Sequence, residues 1–223
     1  MKINLRRRYL ACFITALSAG VAAIPAAIAA EGDSANMEEI VIIGSRRAAR
    51  SATDTTAPVD VIAGDELTRN ASTDIQDLMR TAVPSYNVNA QPISDAATIS
   101  RPANLRGLSP DNTLVLVNGK RRHRGSVISF LGGGISDGAQ GVDIATIPSL
   151  ALKRVVVLRD GASSQYGSDA IAGVINFELR DEAQGGFLEV TTGSTYEGDG
   201  DNYRLAGNIG LPLGDSGFVN ITA

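Results

Sequence analysis

The sequence predicts a small α/β (α+β) domain with a mixed sheet, followed by a short series of antiparallel strands. Three observations carry this. The 223-residue chain has ordinary globular content, 43% hydrophobic and 20% charged, but only 4% aromatic residues, no Trp and 24 glycines. That balance suits turn-rich β or α/β structure better than a helical bundle. Short apolar runs and helical turns alternate in mixed order over residues 57–182. From residue 183 to 223 the pattern changes to a two-residue period.

The first 30 residues stand apart. Lys2, Arg6, Arg7 and Arg8 precede a nearly continuous apolar or small stretch from Tyr9 to Ile24, and "PAAIAA" then places Ala27 and Ala29 in an Ala-x-Ala pattern. This is the form of a secretory signal peptide cleaved after Ala29 or Ala30; the apolar run is short for a retained anchor. Removing it takes four of the 20 basic residues and none of the 24 acidic ones, leaving a mature chain near −8. Such a chain does not favour nucleic acid or anionic membrane surfaces. The single cysteine, Cys12, leaves with the signal, which excludes disulfide and cysteine–metal chemistry in the exported protein.

Residues 31–56 read as a flexible arm, polar and rich in small residues, with one apolar island, "IVIIG", at residues 40–44. The island suits a buried strand and a peptide that pairs with a partner's sheet edge equally well. The compact region begins near Pro58. "PVDVI" reads as a strand, and "AGDELTRN" and "STDIQDLMRTA" as helical turns. The second is expected to take Ser72 as its N-cap and to align Ile75, Leu78, Met79 and Ala82 on one face. Residues 84–110 read mostly as loop. "NTLVLVNGK" is a strand entering an Asn118-Gly119 hairpin turn. A glycine-rich loop leads to a helical turn in "IPSLALKR", then to strand "VVVLR" and, past "DGASSQYGSD", to strand "AGVINFELR". Beyond it, Tyr203, Leu205, Gly207, Ile209, Leu211 and Leu213 alternate with Arg204, Ala206, Asn208, Gly210 and Pro212. Leu188 and Val190 oppose Glu189 and Thr191, and Val219 and Ile221 oppose Phe218, Asn220 and Thr222. Transmembrane barrel strands and a soluble antiparallel sheet share this alternation.

Enzyme chemistry finds little support. Gly161 to Ser168 lacks the Gly-Lys-Ser/Thr ending of a phosphate loop and the spacing of a dinucleotide fold. His123 is the single histidine, so a triad or multi-histidine metal site has no partners. Ser163 and Ser164 have no base. The expectation is a protein without catalytic residues, metal or cofactor.

The ordered motifs "NLRGLSPDNTLVLVNGK" and "VDIATIPSLALKRVVVLRDGASSQYGSDAIAGVINFELR" resemble the plug domain of TonB-dependent outer-membrane receptors, over roughly residues 38–182. "EEIVIIGSR", residues 38–46, is similar to the TonB box, so Glu39, Ile40, Val41, Ile42 and Ile43 become the expected TonB-binding strand. The resemblance implies a barrel of about 22 strands around the plug. Its cargo would be a scarce small molecule of the siderophore-iron, cobalamin or oligosaccharide class, and its drive would come through TonB from the inner membrane. It places the chain in the outer membrane, with plug and box reachable from the periplasm.

The same resemblance assigns residues. Gly161, Gly167 and Gly173 are expected to let the backbone turn beside the barrel wall, with Tyr166 as apolar anchor. Arg106 and Arg159 match plug arginines that pair with glutamates on the inner wall, against the plainer reading of surface arginines on nearby carbonyls. Val156 stands where the family often has glutamate, and Asp160 where it often has glycine. Lys120, Arg121, Arg122, His123 and Arg124 open the longest loop and are the candidate cargo-facing group, attracting an anionic ligand; their alternative is pairing with carboxylates. About three barrel strands fit before Ala223 where a closed barrel needs at least about eight. The expectation is therefore an N-terminal part of a receptor, with a stand-alone periplasmic plug-like binding domain as the competing class.

Overall fold

Backbone hydrogen bonds, not helix packing, organise the computed structural model. It describes residues 40–41, 50–51, 58–68, 74–88, 101–130, 134–196, 200–214 and 217–223. The signal segment 1–30, most of the arm, and Glu39, Ile42 and Ile43 of the box lie outside the described residues. Residues 39–223 form one compact unit. Within it β1 (Ile40–Val41) pairs antiparallel with β2 (Arg50–Ser51).

The plug is built on a five-stranded mixed sheet. Its strands are β3 (Val59–Ala63), β6 (Thr113–Val117), β7 (Lys120–Arg121), β8 (Leu152–Leu158) and β9 (Gly173–Leu179), in the order β3-β8-β9-β6-β7. Only β6 and β9 run parallel; the other pairs are antiparallel. Because successive side chains of a strand point to opposite faces, "VVVL" feeds two cores. Val155 and Val157 join Val115, Ile175 and Phe177 on one face, while Val156 and Leu158 join Leu114, Leu116 and Val174 on the other. A sheet covered on both faces reads as a near-continuous apolar run, as β8 does.

The first face is covered by α1 (Gly64–Thr68), α2 (Ile75–Ala82) and a small sheet of β4 (Tyr86–Val88) and β5 (Ala103–Leu105). Two expectations are corrected here. The N-cap of α2 is Asp74, whose carboxylate accepts from Gln76 N at 2.9 Å, and not Ser72, which lies outside the described residues. Asp74 also binds Arg101, so the cap is held in place by an ion pair distant in sequence. The segment read as loop supplies β4 and β5. Three-residue strands carry too little period to be read locally, and these form because Tyr86, Val88, Ala103 and Leu105 are buried in the core. Burial, reinforced by the negative Asp74, holds the Tyr86 hydroxyl protonated far above its ordinary range.

The second face is covered by the segment between β8 and β9. The sequence reads as a tight loop here, and the segment holds α3 (Ser163–Tyr166) and a 3-10 turn (Ser168–Ala170) instead. Its glycines approach the plug's own backbone. A Cβ on Gly173, whose φ is +148°, would sit 2.3 Å from the Leu158 carbonyl oxygen, and one on Gly161 would sit 3.3 Å from the Ile171 carbonyl oxygen. Gly167 has φ +87° and ends α3, where an L side chain is strained. The hairpin is as read: Asn118 (φ +49°) and Gly119 (φ +74°) link Val117 to Lys120 in a two-residue turn of the primed type.

Three more strands follow: β10 (Gly185–Gly193), β11 (Asn202–Leu213) and β12 (Gly217–Thr222), in one antiparallel sheet. The register sets Leu188 opposite Gly207 and Val190 opposite Leu205, with Ile209 opposite Ile221 and Leu211 opposite Val219. That face is apolar and open: Leu188 is 71%, Leu205 70% and Tyr203 80% exposed. The opposite face holds the bonded polar groups, with Phe187 and Phe218 among them. Asn208 donates to Asn220 and to Thr222 Oγ1, and Arg204 lies 3.9 Å from Glu189.

Gly173→Ala is expected to destabilise the chain by about 3 kcal/mol or more, since β9 must leave β8 to admit the methyl group. Urea unfolding checks this: a midpoint within error of the parent contradicts the close approach.

Candidate functional site

Each group of residues singled out from the sequence occupies a definable place. Arg106 follows β5 in the left-handed region (φ +57°), ahead of Gly107 (φ +70°). Its amide donates to the Ser85 carbonyl at 2.8 Å, and Leu108 N donates to the Leu105 carbonyl at 3.0 Å. This turn aims the guanidinium at Asp160, 3.6 Å away. Arg159 follows β8 and its Nε lies 2.7 Å from Asp60 Oδ2, a charge contact without hydrogen-bond alignment. Both arginines thus meet aspartates of the plug itself, at one end of the sheet. The two departures from the family pattern acquire a use: Asp160 is the partner of Arg106, and Val156 is buried in the second core. Among the described wall residues, Glu189 pairs with Arg204 rather than with either plug arginine.

The basic hairpin is held by carboxylates. Arg121 Nη1 is 2.6 Å from Asp169, and its Nη2 donates to the Tyr166 carbonyl. Arg124 lies 3.1 Å from the same Asp169 and 4.0 Å from Asp111. Asp111 also accepts from Gln140 N at 3.0 Å, while the Gln140 side chain donates to the Gly125 carbonyl at 2.8 Å. One aspartate therefore binds β7 and its continuation to the segment after α3. Arg122 reaches Thr146 Oγ1 at 3.4 Å, and Lys120 and His123 are exposed. Beyond the cations the loop folds about buried Ser129, whose amide donates to the Ala139 carbonyl at 3.0 Å and whose carbonyl accepts from Gly138 at 2.8 Å. This leaves Ile128, Phe130 and Ile135 exposed.

The structure brings Gly161, Tyr166, Gly167 and Gly173 together with Arg121 and Arg124, because the covering segment and the hairpin meet over the second core. Tyr166 packs half-buried against that core. Of residues 39–43 only Ile40 and Val41 are described, extended and paired with Arg50 and Ser51. Sequence reasoning missed Asp60, Asp111 and Asp169, and singled out Asp160 without its partner. Asp169 is 45 to 48 residues from its arginines and Asp60 is 99 from Arg159, separations at which no local signal survives. It also missed Asn176, which accepts from Gly119 N at 2.9 Å and donates to Glu178 at 3.1 Å, while Glu178 binds Arg154 at 2.5 Å.

This arrangement holds the hairpin and the covering segment together. Among the described residues no three His, Cys, Asp or Glu side chains converge to hold a metal ion.

A family model of the TonB-dependent receptor plug domain matches residues 51–174, more than half of the chain. The chain belongs to that family. It is 25% identical over 198 residues to the vitamin B12 transporter BtuB of Photobacterium profundum, covering 89% of this chain and 29% of that protein. It is 28% identical over 161 residues to the ferrienterobactin receptor of Escherichia coli K12, covering 70% of this chain and 21% of that protein. The crystal structure of the siderophore receptor PirA from Acinetobacter baumannii matches with a TM-score of 0.54 and 26% identity, over 77% of this chain and 25% of that one. The chain thus spans less than a third of the length of these relatives. The mixed plug sheet followed by antiparallel strands is the arrangement expected of this family.

Asp169 is half-exposed, so its two ion pairs contribute little to stability. Asp169→Asn is expected to shift unfolding by less than about 1 kcal/mol, yet to speed tryptic cleavage after Arg121, Arg122 and Arg124. Cleavage at the parent rate would show that the hairpin is held by something else.

Proposed function

We propose that this chain is the plug and first wall strands of an outer-membrane transporter that takes up a small molecule under TonB drive. The observation that carries the reading is the two-sided sheet beside the plug. In water, Leu188, Tyr203 and Leu205 would leave a large apolar patch uncovered, which soluble monomers avoid. In a bilayer the same face is solvated by lipid, while the polar face lies on the plug side. A periplasmic plug-like domain without a membrane leaves that face unexplained.

Export through the signal segment would bring the chain to the outer membrane, with plug and box reached from the periplasm. Relatives named for vitamin B12 and ferrienterobactin support a cargo of the cobalamin or siderophore-iron class, and no enzymatic step enters the reading. For the cargo-facing loop, Asp169 and Asp111 already offset Arg121 and Arg124. Attraction of an anionic cargo therefore falls mainly to Lys120 and Arg122. Arg106 and Arg159 would latch the plug to glutamates on the inner barrel wall, and within the plug they meet Asp160 and Asp60.

Residues 39–43 would bind TonB by strand addition, in which main-chain hydrogen bonds give affinity. Ile42→Pro removes one donor and fixes φ, and is expected to weaken binding to the TonB C-terminal domain at least about tenfold, a loss of about 1.4 kcal/mol. Ile42→Val, which keeps the backbone donor, is expected to bind as the parent does. Calorimetric titration checks both, and an Ile42→Pro chain that binds TonB normally rejects the assignment.

A further inference from the structure

We propose that Arg180 is a clasp that holds the plug to the first strands of the wall. It stands just after β9, where the chain leaves the plug, yet its side chain is only 16% exposed. Its amide donates to the Ala151 carbonyl at 2.8 Å, and its Nε donates to the Leu150 carbonyl at 3.0 Å. Nη2 lies 3.2 Å from Asp65 on α1, and Nη1 lies 3.6 Å from Glu182 in the connector. The face of the same guanidinium covers the Phe187 ring of β10, with 4.9 Å between Cζ and the ring centroid.

One planar group therefore joins four parts of the chain: α1, the 3-10 turn Ser149–Ala151, the connector and β10. The chemistry requires arginine. Its fork serves a carbonyl and two carboxylates in one plane while its face stays free to stack on an aromatic ring. Lysine offers a point charge with no stacking face.

A second observation lies at the same junction. The Glu182 carbonyl oxygen is 2.1 Å from where a Cβ on Gly210 would stand, and Asn220 Nδ2 donates to that oxygen at 3.4 Å. The connector is thereby seated on β11 and β12 as well as on the plug. Residues 180–187 become the fixed end of the plug whichever cargo is carried; the clasp rests on the reading of β10–β12 as wall strands and not on the choice of cargo.

The test uses the chain's cysteine content. Cys12 is the only cysteine and lies in the signal segment, so introduced pairs are labelled cleanly. Spin labels at Glu66→Cys on α1 and Thr192→Cys on β10, both exposed positions, report the plug-to-wall distance by pulsed EPR in the membrane-inserted full chain. With Arg180 present the distance distribution is expected to be single and narrow. Arg180→Ala broadens it and raises amide exchange over residues 185–190 about tenfold or more. Arg180→Lys restores it only in part, and Phe187→Leu broadens it without changing any charge. If Arg180→Ala fails to insert, the Lys and Leu variants decide the matter. An Arg180→Ala or Phe187→Leu distribution that superimposes on the parent's, or full restoration by lysine, overturns the clasp.

Discussion

The β8–β9 ladder, buried on both faces, is the constraint on which the rest of the plug depends. Every side chain from Val155 to Leu158 must enter one of two cores, so each face needs its own cover. The first cover is α1, α2 and the β4–β5 sheet; the second is the segment from Ala162 to Ala172. That segment returns the chain to β9 only because Gly173 lets two backbones approach more closely than any other residue permits. With β9 in place, Asn118 and Gly119 are bonded to it from the side: Leu179 N donates to Asn118 Oδ1 at 2.8 Å, and Asn176 accepts from Gly119. The basic hairpin is positioned in turn, and the Asp169 pairs close the arrangement.

Charge follows the same geometry. The ends of the sheet gather ion pairs between residues far apart in the chain: Arg159 with Asp60, Arg106 with Asp160, Arg180 with Asp65. All are at least partly solvent-exposed, so each contributes modestly to stability. Their effect is on direction: they decide where turns and connectors sit against an apolar core that sets no such detail.

Elements whose signal is local were legible in the sequence. The Asn118-Gly119 turn, strands β8 and β9 and the alternation of β11 follow from residue types a few positions apart. Elements stabilised from a distance were not. Asp74 caps α2 partly because Arg101 holds it, and β4 and β5 exist because Tyr86 and Leu105 are buried together. At the site, the arginines and glycines were identifiable, but their partners were not. Arg106 lies 3.6 Å from Asp160, the residue that departs from the family pattern. Gly173 meets the carbonyl of Leu158. In each case the residue type revealed the need for a close neighbour, and the fold supplied its identity.

In the proposed transporter β10–β12 face lipid on one side and the plug on the other. Single cysteines at Tyr203, Leu205, Ile209 and Leu211, and at Arg204, Ala206 and Asn208, carry spin labels into the membrane-inserted chain. Their collision rates with oxygen and with a water-soluble nickel chelate report the surroundings of each. Strict alternation is expected: the first set reached by oxygen and not by the chelate, the second shielded from lipid. Equal access of the chelate to both faces of β11 would contradict it.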